Sequence, residues 1–567
     1  MKILLVAINS QFVHSNPSIL YLKAACSEIG NVETVEFTVN EPINRIYSGI
    51  VSEKPDVVGF SCYIWNIELV LKLCDDLKKA LPNIVIIAGG PEVSFEDGGL
   101  LKDSNNVDYI ISGEGEEKLP YLLSLLKNGK KPDEKEIQWL RSYSEISDLT
   151  KLPLPYKLIK KGSLSNRIAY VEASRGCPFR CAYCISSVTR GVRYFPLEKV
   201  YEAIDILSES GSDVIKFVDR TFNCHEERAL AIWEYILNYR NRGLVFHFEI
   251  DPGLLTDAML DCLRKMPDGL VQVEAGIQSV YEKTLYAVQR PDHTEKAFGN
   301  LSRLISFGNI HVHVDLIAGL PFESYDDFRH SFSRVYSLFA QHFQLGFLKL
   351  LRGTRLKQDA GQHGYIYRNY PPYEIISNKW ISPFEILRLK DIEACLELFY
   401  NSGRFMLTMR ILYDLLGDPF TFYEKLASYM RQKGYLDRPV KAFDLYGILY
   451  SYVKQEYSFI THDITESLRY DYLSSMKNPS LPAFLQKQEY SSKKEKQMLI
   501  NKYRDKLQNT LPRIRYKSLD EIWNQVYISE FRFEYKPEFR PDGIMVFDFG
   551  DISPVTGLAK SYPLKEV

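Results

Sequence analysis

The stretch Ala169-Tyr-Val-Glu-Ala-Ser-Arg-Gly-Cys-Pro-Phe-Arg-Cys-Ala-Tyr-Cys184 decides how this chain is read. It sets three thiols, Cys177, Cys181 and Cys184, within eight residues. An apolar, β-leaning run ends at Ala173, Gly176 and Pro178 break it, and three soft sulfur donors follow on a loop able to curl round an ion or cluster. A structural zinc site closes with four ligands, and no Cys or His stands close by to supply the fourth. An iron-sulfur cluster held by three cysteines keeps one iron open for a small ligand.

The chain has 567 residues, more than one core usually serves, so two to four domains are expected. Its 70 basic and 72 acidic residues leave a net charge of -2, which argues against general nucleic-acid or membrane-surface binding. No charged-then-apolar leader and no run of 18 apolar residues is visible, so a cytoplasmic protein is expected. Nine unevenly spaced cysteines suit a reducing compartment, and an oxygen-sensitive cluster suits an anaerobic one. The 38 Tyr and 31 Phe point to large aromatic packing surfaces.

Outward from the cysteines, the order of elements sets the fold class as α/β. Residues 1–130 carry five β-like runs, Lys2–Ile8, Val32–Thr38, Val57–Cys62, Ile84–Ala88 and Val107–Ser112, separated by helix-compatible segments. Such alternation predicts a doubly wound, Rossmann-like parallel sheet whose ligand sits at the carboxyl ends of the strands. The loops there hold Ser61-Cys-Tyr63, Gly89-Gly-Pro91 and Gly113-Glu114, small residues that let backbone approach a bulky ligand. No Gly-x-Gly-x-x-Gly follows the first run, which disfavours a dinucleotide. Residues 131–166, charged and proline-bearing, read as a linker laid over the surface. Residues 167–360 hold six more strand candidates alternating with helices, a partial (β/α)6 barrel like part of a TIM barrel, with the cysteine loop after its first strand. Residues 361–567 read as a mostly helical C-terminal domain with helices near Phe384–Tyr400, Arg404–Leu416 and Thr421–Lys433, a basic helix face over Lys487–Lys506, and no catalytic motif.

The Cys-x-x-x-Cys-x-x-Cys spacing, with Tyr183 before the last cysteine, resembles the signature of the radical S-adenosylmethionine (SAM) enzymes. The N-terminal loops resemble the cobalamin-binding domain that precedes the barrel in a large branch of that family, and the tail resembles an uncharacterised C-terminal domain carried by part of it. The resemblance implies a [4Fe-4S] cluster on Cys177, Cys181 and Cys184 that binds SAM and cleaves it reductively to a 5′-deoxyadenosyl radical. It implies cobalamin at Ser61, Cys62, Tyr63, Gly89, Gly90, Pro91, Gly113 and Glu114. For SAM it implies Asp219, in the place of the usual Gly-Gly-Glu, with Glu249, Glu274, Gln278 and Ser279 at later strand ends, where carboxylate and amide groups suit ribose hydroxyls. The expected partners are a flavodoxin- or ferredoxin-type electron donor and a small-molecule or peptide substrate. Methylation of an unactivated carbon leads; cyclisation of the anaerobic magnesium-protoporphyrin ester cyclase type and a non-catalytic carrier are the alternatives.

Many cobalamin proteins bring a His beneath the corrin from an Asp-x-His-x-x-Gly motif, which this chain lacks. His14 is alone among the first 224 residues, and Phe12 and Pro17 stand where the Asp and Gly should be. An imidazole with no carboxylate to fix it is a poor ligand, so cobalt without a histidine below it is expected.

Overall fold

The computed structural model describes residues 1–95, 106–189, 191–476, 481–486, 493–511, 514, 517–518, 521–522, 525–535 and 541–564. Of the expected basic face Lys487–Lys506, residues 487–492 lie outside the described residues. Strands β1 (Ile3–Asn9), β2 (Val32–Thr38), β3 (Val57–Ser61), β4 (Val85–Gly89) and β5 (Tyr109–Ile111) form one parallel sheet in the order β2-β1-β3-β4-β5. All seven residues of β1, Ile-Leu-Leu-Val-Ala-Ile-Asn, are buried, as a central strand covered by helices on both faces requires.

The second sheet is parallel and six-stranded. Its strands are β6 (Ile168–Val171), β9 (Val214–Phe217), β10 (Val245–Ile250), β11 (Val271–Gln278), β12 (His311–Ala318) and β13 (His342–Phe347), neighbours in that order. Between β6 and β9 an antiparallel hairpin, β7 (Ser174–Cys177) with β8 (Gly191–Tyr194), carries the cysteines. Strands β10 to β12 alternate strictly between buried and half-buried positions. The buried set, for example Val271, Val273 and Ala275, packs in the apolar core, and the half-buried set turns polar groups into the barrel interior.

The segment 131–166 differs from the expected surface linker. Helix Glu134–Arg141 is closed by an Asp133–Glu136 capping box and buries Leu140 in the N-terminal core, and Ile146, Leu149, Leu152 and Tyr156 are buried in the barrel core. Its apolar residues enter two different cores one turn at a time, so no single period could reveal them. The loop after β1 bridges the two sheets as well: His14 pairs with Ile168 at the open edge of β6, and Arg167 forms an ion pair with Glu36.

The C-terminal region holds helices Pro383–Leu396, Met406–Leu416, Pro419–Gln432, Ala442–Glu456 and Thr461–Ser475. Many of the aromatics pack here, with Tyr336 of the barrel side against Tyr400, Tyr413 and Tyr423. A small antiparallel sheet of β16 (Val526–Phe531), β17 (Gly543–Ile552) and β18 (Ala559–Pro563) follows a short pair, β14 (Ile366–Tyr367) and β15 (Ile375–Ser377). The turn between β17 and β18 reaches the amino end of the barrel, where Nδ1 of His311 lies 3.1 Å from the Val555 carbonyl oxygen.

Candidate functional site

A cavity of about 700 Å³ opens where the carboxyl ends of β1, β3, β4 and β5 meet β6 and the cysteine hairpin. That size is typical of small-molecule and cofactor pockets. Tyr63 and Trp65 stack on its wall, centroids 4.5 Å apart and planes 5° from parallel. Trp65 donates to the Ile8 carbonyl, and the Tyr63 hydroxyl lies 2.8 Å from that of Ser18. Two glycines bring bare backbone to the rim. Gly90 (φ +110°) would place a Cβ 2.6 Å from the Cys62 carbonyl oxygen, and Gly113 (φ +77°) would place one 2.3 Å from that of Ser144. Ser61, Gly89 and Pro91 complete the expected set on this wall.

Two expected residues stand differently. Cys62 is fully buried in the core beside Cys74, its thiol pushed up by burial, and only its backbone serves the site, donating to the Gly89 carbonyl at 2.7 Å. Glu114 lines the cavity, but Arg193 takes its carboxylate at 2.7 and 3.0 Å and the Ile146 amide donates to it at 2.7 Å. Burial opposes ionisation there, and Arg193 with Arg175 overcomes it, holding the carboxyl below its usual range. Sequence reasoning missed Trp65, Arg175 and Arg193, because nothing in their local pattern sets them apart. His14 also lines the cavity, with Nδ1 2.6 Å from the Tyr170 hydroxyl.

The cysteine loop lies at the barrel mouth. Gly176 (φ +96°) starts it where a Cβ would meet the Gly191 carbonyl at 2.1 Å. The Ala182 amide donates to the Val288 carbonyl at 2.7 Å, and the Leu356 amide to the Ala182 carbonyl at 2.8 Å, tying the loop to segments that follow β11 and β13. Cys177 Sγ lies 3.4 Å from Thr221 Oγ1, Arg290 Nη1 lies 3.9 Å from Cys181 Sγ, and Cys184 donates its amide to the Cys181 carbonyl. Among the described residues no three His, Cys, Asp or Glu side chains are grouped as the ligands of one metal ion.

The expected SAM residues divide. Glu249 (3.6 Å from Lys216) and Glu274 (3.2 Å from Lys216 and from His247) face the barrel interior. Gln278, at φ +70° on a bulge ending β11, holds a buried Oε1 with no partner among the described residues, beside Gly276 and near Arg290. Such an orphaned acceptor at the mouth fits a ligand's donor. Asp219 and Ser279 are instead turned into protein. Asp219 accepts from the Ala173 amide (2.9 Å) and the Ser174 hydroxyl (2.5 Å), anchoring the cysteine hairpin, and burial pushes its carboxyl up to about 7. Ser279 is fully buried and donates to Glu323 at 2.8 Å. Arg290, which the sequence reading passed over, spans this mouth, donating to the Gly276 carbonyl at 2.5 Å and lying 3.5 Å from Asp251.

Among the described residues no helix is long and apolar enough to cross a membrane. Three family models match in succession: the B12 binding domain over residues 3–123, the radical SAM superfamily over 171–335 and a protein of unknown function family (DUF4080) over 361–546. The first implies cobalamin, and the second a [4Fe-4S] cluster with S-adenosylmethionine. The chain is 25% identical over 316 residues to the cobalamin-dependent radical SAM methyltransferase TokK of Streptomyces tokunonensis, covering 51% of this chain and 45% of that one. It is 24% identical over 304 residues to the anaerobic magnesium-protoporphyrin IX monomethyl ester cyclase of Rubrivivax gelatinosus, covering 49% and 53%. It thus spans about half the length of these relatives. In fold it resembles the cobalamin-dependent S-adenosylmethionine radical enzyme OxsB (TM-score 0.57, 15% identity, 82% of this chain and 78% of that one). It also resembles the methyltransferase TsrM from Kitasatospora setae (TM-score 0.51, 16% identity, 68% and 80%). The cavity with its stacked rings and bare rim, and the three thiols at the barrel mouth, fit the groups that these domains hold. The chain thus carries, in succession, a B12-binding domain, a radical SAM domain and a C-terminal domain of unknown function.

Proposed function

We propose that this chain is a cobalamin-dependent radical SAM methyltransferase acting on an unactivated carbon of a polar small molecule or peptide. One observation carries the reading. Ser174, Arg175 and Gly176, which directly precede Cys177, wall the same cavity as the loops of the N-terminal sheet, so the two cofactor sites share a side. The relative TokK is named a cobalamin-dependent radical SAM methyltransferase, which supports a use of both groups together. In this reading Cys177, Cys181 and Cys184 hold the cluster, Gln278, Glu249 and Glu274 face SAM or substrate, and Ser61, Tyr63, Gly89, Gly90, Pro91 and Gly113 receive the corrin. When bound, the cluster with SAM supplies a carbon-centred radical, and cobalamin supplies the methyl group.

The residues themselves position and shield. Tyr63 and Trp65 present a flat apolar wall, Asp219 pins the hairpin from behind, and the β17–β18 turn covers the barrel's amino end near His311. The interior offers Lys216, His247, Glu249, Glu274, His313 and Asp315 to a substrate. An apolar macrocycle there would strip water from paired ions without replacing it, so the lining favours a polar substrate. The electron comes, on this proposal, from a flavodoxin- or ferredoxin-type donor in an anaerobic cytoplasm. Incubating reduced, reconstituted protein with methyl-labelled SAM and extract of the source cells tests the reaction. Label in a new product is expected; an unlabelled, oxidised product would favour cyclisation, and no 5′-deoxyadenosine at all would favour a carrier.

A further inference from the structure

Arg175 is almost wholly enclosed between the two domains. Its Nη2 lies 2.7 Å from Glu116 and 2.9 Å from Glu172, and its Nη1 lies 3.3 Å from Glu114. Its guanidinium sits 5.0 Å from the Tyr21 ring centroid and 5.8 Å from that of Phe195. Glu114 and Glu116 belong to the loop after β5 of the N-terminal sheet. Arg175 stands on β7, two residues before Cys177. A second fork, Arg193 on β8, holds Glu114 bidentately and lies 3.8 Å from Glu145. Both strands of the cysteine hairpin are therefore fastened to the rim of the cavity, each by a planar fork that a point charge could not replace.

We infer that Arg175 is a positioning residue that couples the two cofactor sites: it transmits the state of the cysteine loop to the corrin loop Gly113–Glu116, so that each cofactor tightens the binding of the other. This rests on the function proposed above. Three carboxylates converge on one guanidinium, and any loosening of β7 takes Arg175 away from the buried Glu116, while Glu114 keeps Arg193 and Glu172 moves with the strand. A loop ordered around a cluster removes that freedom, and a rim already closed around a corrin favours the ordered loop. By thermodynamic linkage the effect on the two affinities is equal.

The test titrates hydroxocobalamin spectrophotometrically into full-length protein with and without its reconstituted cluster. It also records the paramagnetic resonance of the reduced cluster with and without cobalamin. In the wild type, the cluster is expected to tighten cobalamin binding by roughly fivefold or more, within the usual span of coupling between sites, and cobalamin should shift the cluster's g values. Arg175→Lys and Glu116→Gln should each bind both groups, with the affinity ratio falling toward one and the shift lost. If wild-type protein does not bind hydroxocobalamin, the proposed function fails. If it binds equally with and without the cluster, or if both variants keep the wild-type ratio, the coupling role of Arg175 is overturned while the function stands.

Discussion

Nδ1 of His14 and the hydroxyl of Tyr170 lie 2.6 Å apart, across the junction between the loop after β1 and the first barrel strand. Burial, with Lys216 and Arg167 nearby, lowers the pKa of this imidazole, so the ring is neutral at physiological pH. It belongs to a run of contacts that fastens the loop to β6, including the Ser15 hydroxyl donating to the Ile168 carbonyl at 2.7 Å. A histidine engaged in that way is a part of the junction rather than a ligand in waiting. The cobalt(II) form should therefore show no nitrogen splitting from this ring in paramagnetic resonance, and His14→Ala should leave the spectrum unchanged. A splitting that disappears in the variant would assign the ring to the metal.

Replacing any one of Cys177, Cys181 and Cys184 by Ala should abolish 5′-deoxyadenosine formation and lower the bound iron, because a cluster short of a thiolate loses its geometry. Cys262→Ser, remote from the hairpin, is the control and should retain wild-type iron. Iron and sulfide assays check loading independently of turnover.

Gly90→Ala tests the rim. The new methyl meets the Cys62 carbonyl at 2.6 Å, from a backbone that L residues rarely adopt, so the turn must open. A cost of about 1–3 kcal/mol is expected, read as a lower melting temperature together with weakened hydroxocobalamin binding. Gly361→Ala, with nothing within 4 Å, should change neither.

The alternation of strands with helices and the cysteine motif were legible because each rests on local pattern. Apolar runs alternating with helical stretches give parallel sheets, and three thiols in one loop announce themselves. The fate of individual polar residues was not, because it depends on neighbours distant in sequence. Glu114 looks like a ligand residue until Arg193, 79 positions on, occupies it. Asp219 resembles a binding carboxylate but accepts from Ser174, 45 positions earlier. Cys62 follows a strand end, yet its side chain turns away from the cavity, since one step along extended backbone reverses the face. A period-two row on β12, His311-Val-His-Val-Asp315, did carry a readable sign of a polar barrel interior.

A pH dependence follows from Glu323. Burial pushes its carboxyl up to about 7, against hydrogen bonds from Ser331 and Ser279. An unfolded glutamate titrates near pH ~4.3, so between there and about 7 the folded state holds a proton that the unfolded state releases. The group's stabilisation is complete below the unfolded value and is lost as pH rises through the folded one. Melting temperature should fall from about pH 4.5 to about pH 7 and level off above that, and Glu323→Gln, which cannot titrate, should flatten that slope. An identical slope in the variant would assign it to other groups.

Lys216 reaches Glu274 at 3.2 Å and Glu249 at 3.6 Å, while His247 lies 3.2 Å from the same Glu274 oxygen, all inside the barrel. Burial disfavours the ionised Glu274, but His247 and Lys216 prevail and hold its carboxyl far below the usual range. The Glu274 carboxylate is thus held ionised beside Lys216, and a substrate entering the barrel must exchange hydrogen bonds with fixed ions. Lys216→Met removes the central cation without enlarging the space, and leaves Glu274 only the imidazoles of His247 and His313 nearby. If the substrate is polar, as proposed, formation of labelled product should drop by roughly 100-fold, the penalty typical of a misplaced reactant, in protein whose iron and cobalamin contents match the wild type. Equal or higher yield from the more apolar interior would mean that the barrel was not built around a polar substrate, and would return the cyclase relative's kind of molecule to first place.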